Sequence, residues 1–236
     1  MMQHFPFDHL VIDDFFPLEK VRQLSQDFLD YESPKWYYYN NLLENKKALN
    51  NWYEFPSETY RTFSFLNSSE FIKFLSNKTG VKKLYPDLGL HGGGWHIHSR
   101  GGKLNIHLDY SIHPKTGLQR KLNLIVYLTE GWKSEWGGGL ELWSHNEKTN
   151  KPLKKELTID NVFNRAIIFD TTQNSWHGLP QALSCPEGIY RKSLAVYYMT
   201  DPPKEVDQRK RALYAPTEEQ LNDQKVLEFI NERVRL

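Results

Sequence analysis

Cysteine is nearly absent: Cys185 is the only one in 236 residues. No internal disulfide can form, and a reducing, cytoplasmic setting is expected. Neither sign of charge is in excess. Thirty Lys and Arg stand against 29 Asp and Glu, a net charge of +1, which offers no global attraction to nucleic acid or to an anionic membrane surface. No apolar run approaches the length of a bilayer span. The opening MMQHFPFDHL lacks the basic start and apolar stretch of a secretory leader. Repeats and low-complexity tracts are missing too. These absences describe a soluble, intracellular chain, read as one domain over residues 1–236.

What is abundant is aromatic: seven Trp, thirteen Tyr and thirteen Phe make up 14% of the chain, which suits a β-rich core and an aromatic-lined groove. FDHLVIDDFFP reads as a short strand, Leu10–Ile12, and a turn, followed by a helix from about Leu18 with Val21, Leu24 and Phe28 at helical spacing. Residues 31–56 read as irregular, a lid or an ordered edge. A second helix is expected from Ser68 or Ser69, stopping at Gly80. Short β-type runs then follow at 88–91, 95–99, 104–108, 122–129, 139–144, 165–169, 175–179 and 190–199. Helices precede strands instead of alternating with them, so the pattern predicts a sandwich or barrel, not a doubly wound sheet. The expected division is a helical support over about 1–83, a β core over about 84–200 and a helical tail over about 201–236. In the tail, Thr217 and Gln220 form a capping box, with Val226, Leu227, Ile230 and Val234 as an apolar stripe packing on the outside of the barrel.

Within NIHLDY, His107 and Asp109 lie two residues apart, so on a strand they point the same way and can converge on one metal. The pair alone could equally be a half-exposed histidine beside a turn carboxylate. His177, 68 residues after Asp109 in FDTTQNSWHGLP, is the best third ligand, because a jelly roll returns to the same end after about that length. Two imidazoles and one carboxylate on one face of a metal leave the opposite positions open, as in non-haem Fe(II) oxygenases. Zinc would more often take cysteine or a third histidine. His96 and His98 form another same-face pair without the glutamate that a cupin would add, and read as pocket wall or solvated edge. His113 is expected to be exposed in a turn, and His91 and His145 to satisfy local hydrogen bonds.

An iron oxygenase also needs a reductant. If that is 2-oxoglutarate, its far carboxylate needs a cation, and a guanidinium fork suits it best. Arg191 heads GIYRKSLAVYYMT, 14 residues after His177. It shares a face with Ser193, Ala195 and Tyr197, while Lys192 faces away. In LNLIVYL, Asn123, Ile125 and Tyr127 share one face. Tyr127 can donate to the same carboxylate while Ile125 packs on its methylenes, and a buried Asn123 would need a partner. Gly137, Gly138 and Gly139 read as tight backbone before the next strand.

Taken together, His107-x-Asp109, Tyr127-Leu128, Gly138-Gly139-Leu140, Ile167–Phe169, His177 and Arg191 resemble the Fe(II)/2-oxoglutarate-dependent oxygenases, prolyl hydroxylase branch. The resemblance spans about residues 84–200, and HLVIDDFFP resembles the family lead-in. It implies a mainly β fold with flanking helices around a double-stranded β-helix (jelly-roll) core. It implies iron on His107, Asp109 and His177, and 2-oxoglutarate on Arg191 and Tyr127, beside Asn123 and Ile125. By position, Arg120 and Tyr197 match residues that contact the substrate peptide. The stretch PQALSCPEGIY makes the interval from His177 to Arg191 longer than in the animal oxygen-sensing members. The reaction implied consumes O2 and 2-oxoglutarate, with ascorbate as an auxiliary reductant, and hydroxylates a prolyl residue of a peptide. A free amino acid or other small metabolite, a non-catalytic binding module and a zinc hydrolase are the other readings.

Overall fold

The computed structural model describes the backbone of residues 1–235 and the side chains of residues 1–233. The chain begins with β1 (His9–Ile12), α1 (Leu18–Gln26), β2 (Tyr37–Asn40), β3 (Glu44–Leu49), α2 (Ser57–Leu66) and α3 (Ser69–Thr79). The strands β4 (Tyr85–Pro86), β5 (Gly94–His98), β6 (Lys103–Leu108), β7 (Gln119–Tyr127), β8 (Leu140–Asn146), β9 (Lys151–Ile159), β10 (Ala166–Asp170), β11 (Trp176–Leu179) and β12 (Arg191–Thr200) follow. The tail contributes β13 (Leu213–Tyr214), a 3-10 turn over Glu218–Gln220 and α4 (Gln224–Arg235).

The strands run in the order β1-β10-β7-β12-β5-β3-β6-β11-β8-β9. One wall carries β10, β7, β12 and β5, the facing wall β6, β11, β8 and β9, and every pairing is antiparallel. Two four-stranded walls interleaved in this way make a double-stranded β-helix, the expected jelly roll.

Strand β7 shows how alternation builds both faces. Leu122, Leu124, Val126 and the adjoining Leu128 point outward into a cluster with Val21 and Leu24 of α1, Phe63 and Leu66 of α2, and Phe71 and Leu75 of α3. Tyr127 points inward, packing with Ile167 and Phe169 of β10 and Leu140 and Leu142 of β8. The helices therefore cover the first wall and stiffen it from behind. The Tyr198 hydroxyl adds a buried bond, donating to the Leu66 carbonyl at 2.8 Å.

Helix α3 is as expected, with the Ser68 hydroxyl accepting from Phe71 N–H and Gly80 ending the helix in the left-handed region. Elsewhere the structure corrects the sequence reading. Residues 31–56 are the ordered edge, the second of the two readings, but are not irregular: they hold the β2–β3 hairpin, and β3 bridges β5 and β6. Helix α2 and strands β9 and β13 were not anticipated, and 88–91 is a turn, with only the two-residue β4 before it. Gln220 does accept from the Thr217 N–H at 3.0 Å, but the box caps the 3-10 turn, and α4 starts at Gln224. Val226 and Ile230 of the stripe are buried against Leu43 and Tyr214; Val234 lies outside the described side chains.

Where β3 passes β5, the backbones come close enough that Gly94 is required. Its φ is +87°, and an added Cβ would sit 2.2 Å from the Leu49 carbonyl oxygen. Gly94→Ala should therefore cost roughly 3 kcal/mol or more in a urea titration; an unchanged midpoint would contradict this close approach.

Candidate metal centre and cosubstrate pocket

The interior of the barrel opens into a cavity of about 700 Å³. His107 is the next-to-last residue of β6, Asp109 follows the end of the strand, and His177 lies directly opposite His107 on the neighbouring β11. The register alone thus brings together two histidines that are far apart in the chain. Their ring centroids are 4.4 Å apart. Nε2 of His107 stands 3.7 Å from Asp109 Oδ1, and Nε2 of His177 stands 3.8 Å from Oδ2. One donor atom from each residue falls within 4.8 Å of the others, and all three side chains are buried. Among the described residues this is the one cluster of its kind.

The outward nitrogens set the tautomers. Nδ1 of His107 lies 3.0 Å from the Asn105 carbonyl and Nδ1 of His177 lies 2.8 Å from the Ser175 carbonyl. Each Nδ1–H donates to its carbonyl, leaving the Nε2 lone pair aimed at the shared point, as a metal-binding imidazole requires. Burial pushes His177 down to about 4, and the neighbouring His107 adds to the effect. Burial also works against ionisation of Asp109, yet the Arg120 guanidinium and the two imidazoles hold its carboxyl far below the usual carboxylate range. Two imidazole nitrogens aimed at one point beside an ionised carboxylate are a donor set for a divalent ion.

Arg120 reaches Asp109 Oδ1 at 3.0 Å and also donates to the His91 carbonyl at 3.0 Å. Its guanidinium is sandwiched between the rings of Tyr110 and Tyr197, 3.3 and 3.4 Å from their centroids. Asn123, whose burial demanded a partner, finds Asp109: its amide donates to Oδ2 at 3.4 Å. Arg120, Tyr197 and Asn123 thus surround the carboxylate as well as lining the cavity.

Arg191 heads β12 on the cavity wall and is 3% exposed. Its Nε donates to the Gly138 carbonyl at 2.7 Å, and no carboxylate lies within ion-pair distance among the described residues. Burial lowers its affinity for a proton, so its charge sits in the wall without a counter-ion. The Tyr127 hydroxyl beside it and both ring nitrogens of His98 are buried without hydrogen-bond partners. Ile125, Leu140, Ser193 and Ala195 line the same cavity as Arg191, His98 and the triad. A lone guanidinium with unpartnered polar atoms and apolar walls fits a short dianion whose far carboxylate it grips. Gly138 is more than a turn residue, since a Cβ there would lie 2.9 Å from Arg191 Cδ. Lys192 faces away as expected, donating to the Ser25 carbonyl at 2.8 Å.

Two histidine expectations change and one holds. His113 is buried, not exposed: its Nδ1 accepts from the N–H groups of Lys115 and Thr116, and Nε2 lies 3.5 Å from Asp87. His91 lines the cavity and packs on Tyr110 and His113. His96 and His98 are indeed pocket wall.

The sequence reading packed the tail on the outside of the barrel and gave it no part in the site. Strand β13 pairs with β6, placing Tyr214 opposite His107, and the two rings stack at 5.1 Å. Arg233 of α4 donates to the buried Glu44 at 2.7 Å and lies over Tyr214. Gln220 accepts from the Asn105 amide at 2.7 Å. The tail packs outside the barrel yet reaches into the site, and no local pattern in residues 201–236 signals it.

A double-stranded β-helix with two histidines and an aspartate at one end of its cavity defines a non-haem metal enzyme of the oxygenase type. Residues 93–199 match the family model described as the 2OG-Fe(II) oxygenase superfamily, so the core of the chain is similar to that superfamily. No curated protein sequence matches it. Solved structures do. A Pseudomonas putida prolyl-4-hydroxylase is 14% identical, with 83% of this chain and 93% of that one covered and a TM-score of 0.54. A Trichoplax adhaerens prolyl hydroxylase in complex with a hypoxia-inducible-factor peptide fragment is 16% identical, with 81% and 83% covered and a TM-score of 0.52. HygX from Streptomyces hygroscopicus, with nickel, 2-oxoglutarate and hygromycin B bound, is 14% identical, with 81% and 82% covered and a TM-score of 0.51. At these identities the likeness is one of fold.

Two outcomes follow for the site. Arg120→Met should weaken Mn(II) binding, followed by calorimetry, by about 10- to 100-fold. Arg120→Lys should not restore it, because an ammonium cannot stack as a planar plate between two rings; full rescue by lysine would show that charge alone suffices. The second concerns pH. His91, His96, His98 and His177 all have their proton affinities lowered from 6.5, burial being the largest cause in each. As pH falls through about 6.5 the unfolded chain takes up protons that the folded one refuses, so stability is lost on acidification. The Tm without added metal should fall steadily from about pH 7 to about pH 5; a flat or rising Tm would contradict the neutral burial of these rings.

Proposed function

We propose that this protein is a hydroxylase dependent on Fe(II) and 2-oxoglutarate, acting on a prolyl residue within a peptide. The observation that carries the reading is the buried triad His107, Asp109 and His177 sharing one cavity with a guanidinium, Arg191, that has no counter-ion among the described residues. Metal and cosubstrate together would supply the chemistry: O2, 2-oxoglutarate and a C–H bond become an alcohol, succinate and CO2, with ascorbate as auxiliary reductant.

The residues divide the work. His107, Asp109 and His177 would hold the ion from one side, leaving the remaining positions to the keto acid and oxygen. Arg191 and the Tyr127 hydroxyl would grip the far carboxylate while Ile125 and Leu140 pack against its methylenes. Arg120 and Asn123 keep the Asp109 carboxylate in one orientation, and the apolar lining limits water around the reacting carbon. Arg120 and Tyr197 line the same cavity and, by the resemblance, would contact the bound peptide. The helical support, the core and the tail are read as one domain, because the tail supplies part of the site wall. The single Cys185 suits a reducing, cytoplasmic compartment, and no helix among the described residues is long and apolar enough to cross a membrane.

The prolyl assignment is supported by the fold likeness to the two prolyl hydroxylases. Turnover of a free amino acid or other small metabolite is the second reading, favoured by the HygX structure, which holds hygromycin B in the same fold. Succinate release with Fe(II), 2-oxoglutarate and ascorbate tests enzyme against binding module, and activity with Zn(II) alone would instead indicate a hydrolase. Mass spectrometry of proline peptides for a gain of about 16 Da, against a pool of free amino acids, separates the two substrates. His107→Ala and Asp109→Ala should each abolish succinate formation, whereas Arg191→Ala should mainly raise the 2-oxoglutarate concentration required. Unchanged cosubstrate dependence in Arg191→Ala would overturn the role given to that residue.

A further inference from the structure

The charge of this protein is balanced over the chain but not in its cavity. Net charge is +1 overall. Six cationic side chains, Lys46, Arg120, Arg191, Lys210, Arg211 and Arg233, line the cavity against two carboxylates, Glu44 and Asp109, an excess of four. The pairings show where the excess lies. Asp109 is matched by Arg120 at 3.0 Å, and Glu44 by Arg233 at 2.7 Å. Arg191 is matched by the cosubstrate under the function proposed above. Three cations are left over: Lys46, Lys210 and Arg211.

Their placement is not random. Lys46 projects from β3 beside Glu44, at 3.5 Å, and over the Tyr39 ring at 5.1 Å. Glu44 already serves Arg233 and cannot neutralise both. Lys210 and Arg211 come from the segment that leads into β13, so they approach from the tail while Lys46 approaches from the hairpin. Both are exposed, and among the described residues neither has a carboxylate within ion-pair distance. The main chain between them is held. The Arg209 guanidinium donates to the carbonyls of Asp109 and Arg211, at 2.8 and 3.0 Å, which fixes the basic pair relative to the triad. Tyr37 and Tyr39, edge to face at 4.5 Å, line the cavity on the hairpin side. Like charges gathered in a concavity focus the field on whatever enters it.

We propose that the mouth of this cavity is a docking site for an acidic peptide, with Lys46, Lys210 and Arg211 receiving carboxylates that flank the residue presented to the metal. The proposal rests on the reading of the protein as a peptide hydroxylase and specifies which peptides it takes. The tail is then a specificity element as well as a wall of the site. Exposed ion pairs are individually weak, so their joint effect is about tenfold in affinity and is screened by salt.

The test uses the full chain loaded with Fe(II) and 2-oxoglutarate under nitrogen, so that binding is read without turnover. Three fluorescein-labelled peptides share one central proline and carry Glu, Gln or Lys flanks, and anisotropy gives their Kd. The Glu peptide should bind about tenfold more tightly than the Gln peptide and lose that advantage in high salt. The double variant Lys210→Glu, Arg211→Glu should erase the preference. The charge-matched variant Lys73→Glu, Lys82→Glu, on and just after α3, should keep it, which separates a local site from net charge. Equal binding of the three peptides, no binding of any, or a preference that survives the first double variant overturns the proposal. So does tighter binding of a single-stranded oligonucleotide of equal charge. Admitting air separates the two layers. Hydroxylation without acidic preference removes the docking site alone, whereas acidic preference without a gain of about 16 Da leaves the docking site and removes the prolyl reaction.

Discussion

The buried carboxylate of Asp109 is the constraint around which the site is arranged. An ionised group that is 7% exposed has lost most of its hydration, and only close partners compensate for that. Arg120 from β7 supplies the opposite charge, Asn123 from the same strand supplies an amide, and His107 and His177 come from β6 and β11. Tyr110 and Tyr197 clamp the guanidinium from both faces. Both walls of the jelly roll therefore converge on one small charge.

A second layer stands behind the first. Tyr214 stacks on His107, Arg233 holds Glu44, and Gln220 ties Asn105, whose carbonyl in turn orients the His107 ring. Tyr214 and Gln220 join the tail to β6, and Arg233 joins it to the hairpin strand β3. The tail is thus coupled to the ligand strand through an aromatic stack and buried polar bonds, and its exposed basic pair extends the same segment to the mouth of the cavity. On the opposite side, Gly138 leaves room for Arg191 and accepts its Nε–H.

The legible parts of the fold were those whose signal is local. His107 and Asp109 share a face because strand periodicity is two, and the same holds for Arg191, Ser193, Ala195 and Tyr197. Leu122, Leu124 and Val126 alternate with Asn123 and Ile125, so both faces of β7 could be assigned from sequence. Ser68 and Gly80 marked the ends of α3 by capping chemistry. The misread parts hide their burial in polar residues. Strand β3 reads as solvated because it carries Glu44, Lys46 and Lys47, yet Glu44 is buried by Arg233 and Lys47 by the Tyr31 carbonyl and ring. Helix α2 buries Thr59 and Thr62 along with Phe63 and Leu66, so its apolar period is broken, and Thr59 gains its partner in Asp27. His113 looked like a turn residue because Asp87 lies far from it in the chain.

The amino-acid order by itself determined the fold class, the paired ligands His107 and Asp109, the opposite faces of β7 and β12, and the candidacy of His177 and Arg191. The pair and the strand faces follow from short-range periodicity, which backbone geometry enforces wherever the strand ends up. The fold class followed from the order of helices and strands, and His177 and Arg191 from their spacing and side-chain chemistry. Tertiary structure alone decided that Asp87 buries His113, that Arg120 binds Asp109 between two tyrosines, and that a C-terminal tail completes the wall beside His107. Those contacts join segments brought together only by closure of the barrel, and the stabilisation of a buried charge depends on distance in space, about which separation along the chain says nothing.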